Sequence, residues 1–375
     1  MSTTTTPSAE AYLPAFNNQV NSKKAYTWSL IQIKAFMIEV VHNPSTYVVE
    51  RNVVSELKRL RTDILDLGEI GSRYLSETSC PQSISRIINP AANEDESYFL
   101  LNKMTYGGRP YWCTFDLLGR FLSLISPAPQ GATQNNFYLP LTLPYANWCG
   151  KIAPTAPWVH SCVWAEEKDE LSGFHLGASL AGYRNLAGQG SRWVKVLQQA
   201  RFNLLRDERL DAAGITIDST RLRGRTRNAL TFGNCAETYP LVYLLRNRDP
   251  KKEIYGLAVM RKNLPQDAYG HAEALNALTT PCVNCQRIIT TWGGKVENFI
   301  TDDILEISTG LPSEVQGPAA PCPNPRASKS KITLLTRAKR PAPADDTVEP
   351  AAKKAKGQVP VIPRKPSHLT GGKNK

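Results

Sequence analysis

The sequence predicts an α/β domain over residues 190–310, preceded by a largely helical region over 25–160 and followed by a disordered basic tail over 311–375. Three observations support this division. Apolar residues recur at intervals of three and four in the first region, as on the buried face of a helix. Short apolar runs alternate with helical segments in the second. The third is rich in proline, lysine and alanine and has almost no aromatic residues. It therefore cannot bury enough apolar surface to offset the entropy lost when a chain becomes ordered.

Composition excludes several classes of protein. The chain has 375 residues, of which 41% are apolar, enough for a real core. The net charge is +12, but residues 311–375 hold 13 lysines and arginines against 4 acidic residues, a net charge of +9, and the remaining +3 belongs to the other 310 residues. The predicted folded part is therefore nearly neutral, and the overall charge does not indicate a basic binding domain.

The sequence also favours a non-membrane protein in a reducing compartment. No apolar run approaches the roughly 18–20 residues that span a bilayer. The first residues, Met1 to Pro7, are polar and lack the charged start and apolar stretch of a signal peptide. Eight cysteines are far too few for a disulfide scaffold of this length. Clustered cysteines are then expected to be metal ligands or catalytic thiols.

The N-terminal region predicts two amphipathic helices. Residues 1–24 are rich in threonine, serine and asparagine, which predicts a disordered leader. Apolar spacing then predicts one helix over 28–43 and a second over 49–70, packed on their neighbours. The proline- and asparagine-rich stretch 127–157 predicts a long irregular connection at a domain boundary.

The predicted α/β layer contains four elements. Residues 234–246 and 281–292 predict helices, the second opened by a proline that suits a first helical turn. Residues 254–260 and 296–300 are apolar runs of strand length. Helix, strand, helix and strand in this order predict parallel neighbouring strands.

Two short motifs in this layer carry the predicted chemistry. Cys235 and Glu237 form a Cys-x-Glu motif, and Cys282 and Cys285 form a Pro-Cys-x-x-Cys motif 47 residues later. Cysteines three apart in a first helical turn lie on one side, where the helix N-terminus favours thiolates. A third thiolate completes three ligands of a tetrahedral zinc ion and leaves one position for a water, whose pKa the metal lowers. Glu237 is placed to move a proton from that water to a leaving amine.

These motifs resemble those of the zinc-dependent cytidine deaminase superfamily, in which His or Cys, any residue and Glu precede Pro-Cys-x-x-Cys. The resemblance covers roughly residues 190–310. It implies a three-layer α/β/α domain, zinc on Cys235, Cys282 and Cys285, and Glu237 as the proton shuttle. The implied activity is hydrolytic deamination of a nucleobase, with cytosine expected, in a nucleoside, nucleotide or nucleic acid.

The sequence departs from the compact members of that superfamily. The longer separation of the two motifs predicts an insertion at 261–279. Gln286 and Arg287 follow Cys285, where nucleoside deaminases tend to have Arg-Gln, yet the all-cysteine ligand set is more like those enzymes than like nucleic-acid editors. The flanking sequence 233–240 resembles divergent deaminases of fungi and bacterial toxin systems. Both substrate classes therefore stay open.

Other interpretations of the motifs compete with this one. A closed structural zinc site would need a fourth ligand, and a redox Cys-x-x-Cys would not need Cys235. His271 and Glu273 also fit the first half of the signature, but Cys282 follows His271 by only eleven positions. A helix and a strand need more, so we expect His271 to be a surface-loop histidine.

Signals for substrate binding are weaker. Residues that flank the motifs are candidates to contact a base, although core packing is the default for aromatic side chains: Phe232, Asn234, Thr280 and Trp292. Alternating arginines ahead of the first motif are candidates to hold phosphates, or else form a solvated hairpin edge: Arg221, Arg223, Arg225 and Arg227.

The tail carries two basic clusters separated by twelve residues, Lys339 and Arg340 and then Lys353, Lys354 and Lys356. They resemble a bipartite nuclear localisation signal bound by a nuclear import receptor, and predict nuclear or nucleo-cytoplasmic localisation. The alternative is a solubilising tail. Two other functions compete with a deaminase: an inactive zinc-stapled scaffold for nuclear protein or nucleic-acid interaction, and a toxin or effector.

Overall fold

The computed structural model describes eight stretches of the chain, which are separated by gaps: 12–69, 84–88, 99–152, 157–166, 172–180, 191–217, 231–265 and 268–300. The chain falls into two units, Met1–Glu314 and Val315–Lys375, and all the described residues belong to the first. The predicted disordered tail and its basic clusters lie outside the described residues.

Helices and short strands follow one another along these stretches. The helices are α1 Ala15–Asn18, α2 Ser22–Tyr26, α3 Leu30–His42, α4 Val54–Glu69, α5 Thr114–Ile125, α6 Leu139–Ile152, α7 Ser191–Leu205, α8 Glu208–Ala212, α9 Thr238–Leu244, α10 His271–Asn276 and α11 Val283–Thr291. The strands are β1 Arg86–Ile88, β2 Phe99–Leu101, β3 Met104–Tyr106, β4 Arg109–Tyr111, β5 Val159–Glu166, β6 Phe174–Ala178 and β7 Glu253–Met260. This mixture is compatible with the predicted α/β class. None of the described helices is both long and apolar enough to cross a lipid bilayer.

The two N-terminal helices lie where the apolar spacing predicts them. Ser29 and Gln32 form a capping box at the start of α3, which ends just before Pro44. The described part of the expected disordered leader, residues 12–24, is instead folded, because Ala15 and Phe16 are buried in the core. The side chain of Trp148 also donates a hydrogen bond to the carbonyl of Ala25 at 2.7 Å. The described residues 12–24 are therefore packed against the core.

Most of the described part of the expected irregular connection at 127–157 is instead helical, over residues 134–152. A capping box of Thr133 and Asn136 starts a π-helical turn over Gln134–Tyr138, which runs directly into α6. Pro140 lies in the first turn of α6, where its missing N–H is tolerated, and Pro144 lies inside the helix. Nearly every side chain of α6 is buried, so this segment is part of the core.

The main sheet has the strand order β6-β5-β7, and β5 is antiparallel to both neighbours. The strand predicted at 254–260 is confirmed as β7. The prediction that its neighbour runs parallel is wrong for β5, which is antiparallel to it. Residues Val296–Phe299 form a 3-10 turn rather than the expected strand. Gly256 leaves the space that the ring of Phe299 occupies against β7.

Helices lie against both faces of this sheet. On one face, Trp164 stacks on Tyr138 and the ring of Tyr145 in α6 meets His160 edge-on. On the other face, His175 of β6 stacks on Tyr243 of α9. Helix α5 covers the outer edge of β6, where the N–H of Leu176 donates a hydrogen bond to the hydroxyl of Ser123 at 3.1 Å. These contacts join the predicted helical region to the predicted zinc domain, and the two share one core.

Candidate metal centre

Cys235 lies in a turn that leads into α9 and is fastened to two other elements. The carbonyl of Asn234 accepts a hydrogen bond from the backbone N–H of Leu180 at 2.9 Å, just beyond β6. The side-chain oxygen of Asn234 accepts a second one from Gln198 of α7 at 3.2 Å. Asn234, a candidate for contacting a base, therefore has a structural role in holding the turn beside the sheet.

The second motif reaches the same end of the sheet along β7. Leu278 pairs with Val259, and the N–H of Thr279 donates to the carbonyl of Ala258 at 2.9 Å. The chain then turns at Pro281 into α11. Cys282 immediately precedes this helix, and Cys285 lies in its first turn, as the three-residue spacing predicts.

The three thiols of the two motifs converge. The Sγ of Cys282 lies 3.2 Å from that of Cys235 and 3.6 Å from that of Cys285, and all three lie within 4.8 Å of one another. Three sulfurs bound to one zinc at about 2.3 Å would stand about 3.8 Å apart, so only small shifts are needed to accept the ion. Among the described residues, this group is the one whose ligand atoms are close enough to hold a metal.

Glu237 places a carboxyl group beside the thiols. Its side chain is buried, and its Oε2 accepts a hydrogen bond from the Sγ of Cys285 at 3.3 Å. Burial, followed by the negative charge of Cys282, raises the pKa of Glu237 to about 7. A carboxyl group with this pKa can both accept and donate a proton near neutral pH.

Cys282 is the thiol with the lowest proton affinity of the three. Its hydrogen-bonded contacts with the thiols of Cys235 and Cys285 lower its pKa below the ordinary value, against the opposing effect of burial. Backbone N–H groups of Cys285 and Asn284, at the start of α11, act in the same direction. The site thus favours a thiolate, the form that binds metal.

Sequence reasoning missed one polar contact to this turn, made by a buried arginine. Arg201 of α7 is fully buried, and its guanidinium donates to the carbonyl of Cys235 at 2.8 Å. It pairs with Asp116 of α5 at 3.1 Å. One signal in the sequence could have indicated that Arg201 is buried. It lies four residues from Leu197 and four from Leu205, on the same face of the helix, and both leucines are buried.

The other candidate residues are dispersed. Phe232 is buried against Phe202 and Trp292 is buried in the core, in agreement with the core-packing alternative. Thr280 is exposed beside the second motif. His271 begins α10 within the expected insertion, and its side chain is not among those described. The candidate phosphate-binding arginines, Arg225 and Arg227 with Arg221 and Arg223, lie outside the described residues, as do Lys339, Arg340, Lys353, Lys354 and Lys356.

Comparisons of the chain with protein-family models, with curated proteins and with solved structures gave no match. The motifs, and the geometry of the centre that they form, are therefore the features that bear on function: Cys235, Glu237, Cys282 and Cys285.

Proposed function

We propose that this protein is a zinc-dependent hydrolytic deaminase of a nucleobase, and that the base is cytosine in a nucleoside, a nucleotide or a nucleic acid. One observation carries the proposal. Three thiols from two distant motifs converge, and a buried carboxyl group with a pKa near neutrality lies beside them. This set matches both the ligands and the proton carrier that such a reaction needs.

The three thiolates of Cys235, Cys282 and Cys285 would hold the zinc ion. When bound there, zinc would lower the pKa of a water molecule and so supply a nucleophile at neutral pH. Three protein ligands with one position open are typical of catalytic zinc sites, whereas structural sites have four. No fourth His, Cys, Asp or Glu joins the three-thiol group among the residues that the structure describes, which supports the catalytic interpretation.

Glu237 would move the protons of the reaction. Hydrolysis of the cytosine amino group adds the oxygen of water to the ring carbon, breaks the carbon–nitrogen bond and releases ammonia. The carboxylate of Glu237 would accept a proton from the attacking water and deliver it to the departing nitrogen. Burial suits this role, because it brings the pKa of Glu237 close to the pH at which the protein would work.

The fold supports the proposal at a coarser level. Helices pack on both faces of the β6-β5-β7 sheet, an arrangement consistent with a three-layer α/β/α domain. Both motifs reach the same end of that sheet. The first lies in a turn whose Asn234 is hydrogen-bonded to Leu180, just beyond β6, and to Gln198 of α7, and the second lies at the end of β7.

Ammonia release tests the proposal directly. Zinc-loaded protein is incubated with cytidine, cytidine monophosphate and single-stranded DNA and RNA, and compared with a Glu237→Gln variant. We expect the variant to lose about 10²- to 10⁴-fold in rate, the usual contribution of a general acid–base group. The control is Glu273→Gln, at an exposed glutamate that fits the same Cys/His-x-Glu pattern. If zinc-loaded wild type deaminates no base in a broad panel, the hydrolytic function is rejected, and the scaffold interpretation takes its place.

We also propose that the basic clusters of the tail direct nuclear import. A reporter fused to residues 331–375 is expected to accumulate in nuclei, and changing Lys353 and Lys354 to alanine should abolish that accumulation. A distribution that is the same with and without these two lysines would contradict the proposal.

A further inference from the structure

A buried arginine links the metal-binding turn to the sheet and to the N-terminal half of the chain. One guanidinium nitrogen of Arg201, Nη2, donates to two carbonyl oxygens: that of Cys235 at 2.8 Å and that of Ala178, at the end of β6, at 3.1 Å. The turn and the strand end are thus held by a single planar group. An arginine fork can bridge such acceptors, whereas a lysine ammonium acts as a compact point charge.

The other nitrogen, Nη1, is directed at Asp116 of α5, with its two carboxylate oxygens at 3.1 and 3.4 Å. The same carboxylate accepts a hydrogen bond from the thiol of Cys113 at 2.9 Å. The ring of Tyr239, in α9, lies under the guanidinium, 5.5 Å from it. These contacts leave the guanidinium one orientation, because carboxylate, carbonyls and ring surround it.

Stability alone is a poor reason for this arrangement. The side chains of Arg201 and Asp116 are 0% and 1% exposed, and removing two charges from water costs energy that their attraction only partly returns. Buried pairs of this kind are better explained by what they orient. Here the oriented group is the peptide of Cys235, a proposed zinc ligand two residues from the proposed proton carrier.

We infer that Arg201 is a positioning residue for the metal centre, and that Asp116 fixes its orientation. The inference rests on the proposed function only in taking Cys235 as a zinc ligand. It also gives the N-terminal half a role: α5 contributes a charged side chain that the zinc turn needs, so the two halves form one functional unit. Groups that orient metal ligands in this way typically change metal affinity or activity by about 10- to 100-fold when they are altered.

The experiment measures zinc affinity of the full chain by competition with a chromophoric chelator, with circular dichroism as the check on folding. Arg201→Lys keeps a positive charge beside Asp116 but loses the fork. We expect it to bind zinc about 10- to 100-fold more weakly than wild type. The control is Arg209→Lys, since Arg209 also donates to a carboxylate, that of Asp207, and to a carbonyl, that of Arg246, but not at the metal turn. Its zinc affinity should equal that of wild type.

Cobalt supplies a second readout that does not depend on catalysis. With Co²⁺ in place of zinc, the thiolate-to-cobalt absorption band should shift or weaken in Arg201→Lys and stay unchanged in Arg209→Lys. A folded Arg201→Lys with wild-type zinc affinity and a wild-type cobalt spectrum would overturn the positioning role while leaving the deaminase proposal intact. A wild type that binds no zinc would reject both.

If Arg201→Lys does not fold, a double variant without the two buried charges supplies the test. Asp116→Asn combined with Arg201→Gln removes both buried charges at once, so neither is left unpaired. We expect this double variant to fold and to bind zinc more weakly than wild type. Wild-type zinc affinity in the folded double variant, or failure of both variants to fold, would assign Arg201 to the core alone and reject the inference.

Discussion

Gly233, two residues before Cys235, is a position at which one added methyl group should disturb the metal turn. Its φ is +79°, in the left-handed region that costs a residue with a side chain about 1 kcal/mol. A Cβ there would also lie 2.3 Å from the carbonyl oxygen of Gln198 and 2.9 Å from the backbone nitrogen of Phe202. Both atoms belong to the backbone of α7, which cannot swing aside as a side chain can. Overpacking of this kind costs about 1–3 kcal/mol.

Gly233→Ala should therefore lower the free energy of unfolding by about 2–4 kcal/mol, the sum of the two costs. Gly214→Ala is the matched control, because Gly214 has a φ of +64° and nothing within 4 Å of an added Cβ. It should lose only about 1 kcal/mol. Urea unfolding of the zinc-loaded full chain measures both. Equal losses in the two variants, within about 0.5 kcal/mol, would show that α7 does not press on the turn and would refute the reasoning.

Two further predictions concern buried polar groups. Burial, with a smaller effect of Arg261, lowers the pKa of His160 to about 3. Between pH 7 and 5 this histidine is therefore protonated in the unfolded chain but stays neutral in the folded one. The free energy of unfolding falls by about 2 kcal/mol over this range because of His160. His160→Leu should remove that part of the pH dependence in urea titrations, with the exposed His42→Leu as control; an unchanged slope would contradict it. Trp148→Phe should cost about 2–3 kcal/mol, because the carbonyl of Ala25 loses its donor and a cavity forms. The same change at half-exposed Trp158 should cost under about 0.5 kcal/mol, and equal thermal shifts in the two variants would show that the buried hydrogen bond is unimportant.

The convergence of the cysteines was predictable because most of it is local. Cys282 and Cys285 are three residues apart at a helix start, and the helical period alone places their sulfurs together. To place Cys235 beside them, one further prediction was needed: that the segments leading into α9 and α11 meet at one end of the sheet. Helices α3 and α4 were predictable for a similar reason, since each buries one stripe of its surface.

Features that depend on distant parts of the chain could not be predicted. Helix α6 is buried almost all round, so it has no amphipathic period, and its two prolines indicate a loop when read alone. The antiparallel pairing of β7 with β5 joins Glu166 to Glu253 at one end and Val159 to Met260 at the other, and local sequence does not specify the direction of such distant pairing. The pair of Arg201 and Asp116 likewise joins two helices 85 residues apart.

The coordination of zinc in the purified full chain tests the central claim most directly. X-ray absorption at the zinc edge, with metal analysis for stoichiometry, counts the sulfur and lighter ligands of the bound ion. We expect one zinc per chain, with three sulfurs at about 2.3 Å and one oxygen at about 2.0 Å. Four sulfurs would indicate a closed structural site, and a chain that retains no zinc would show that Cys235, Cys282 and Cys285 do not form a metal centre.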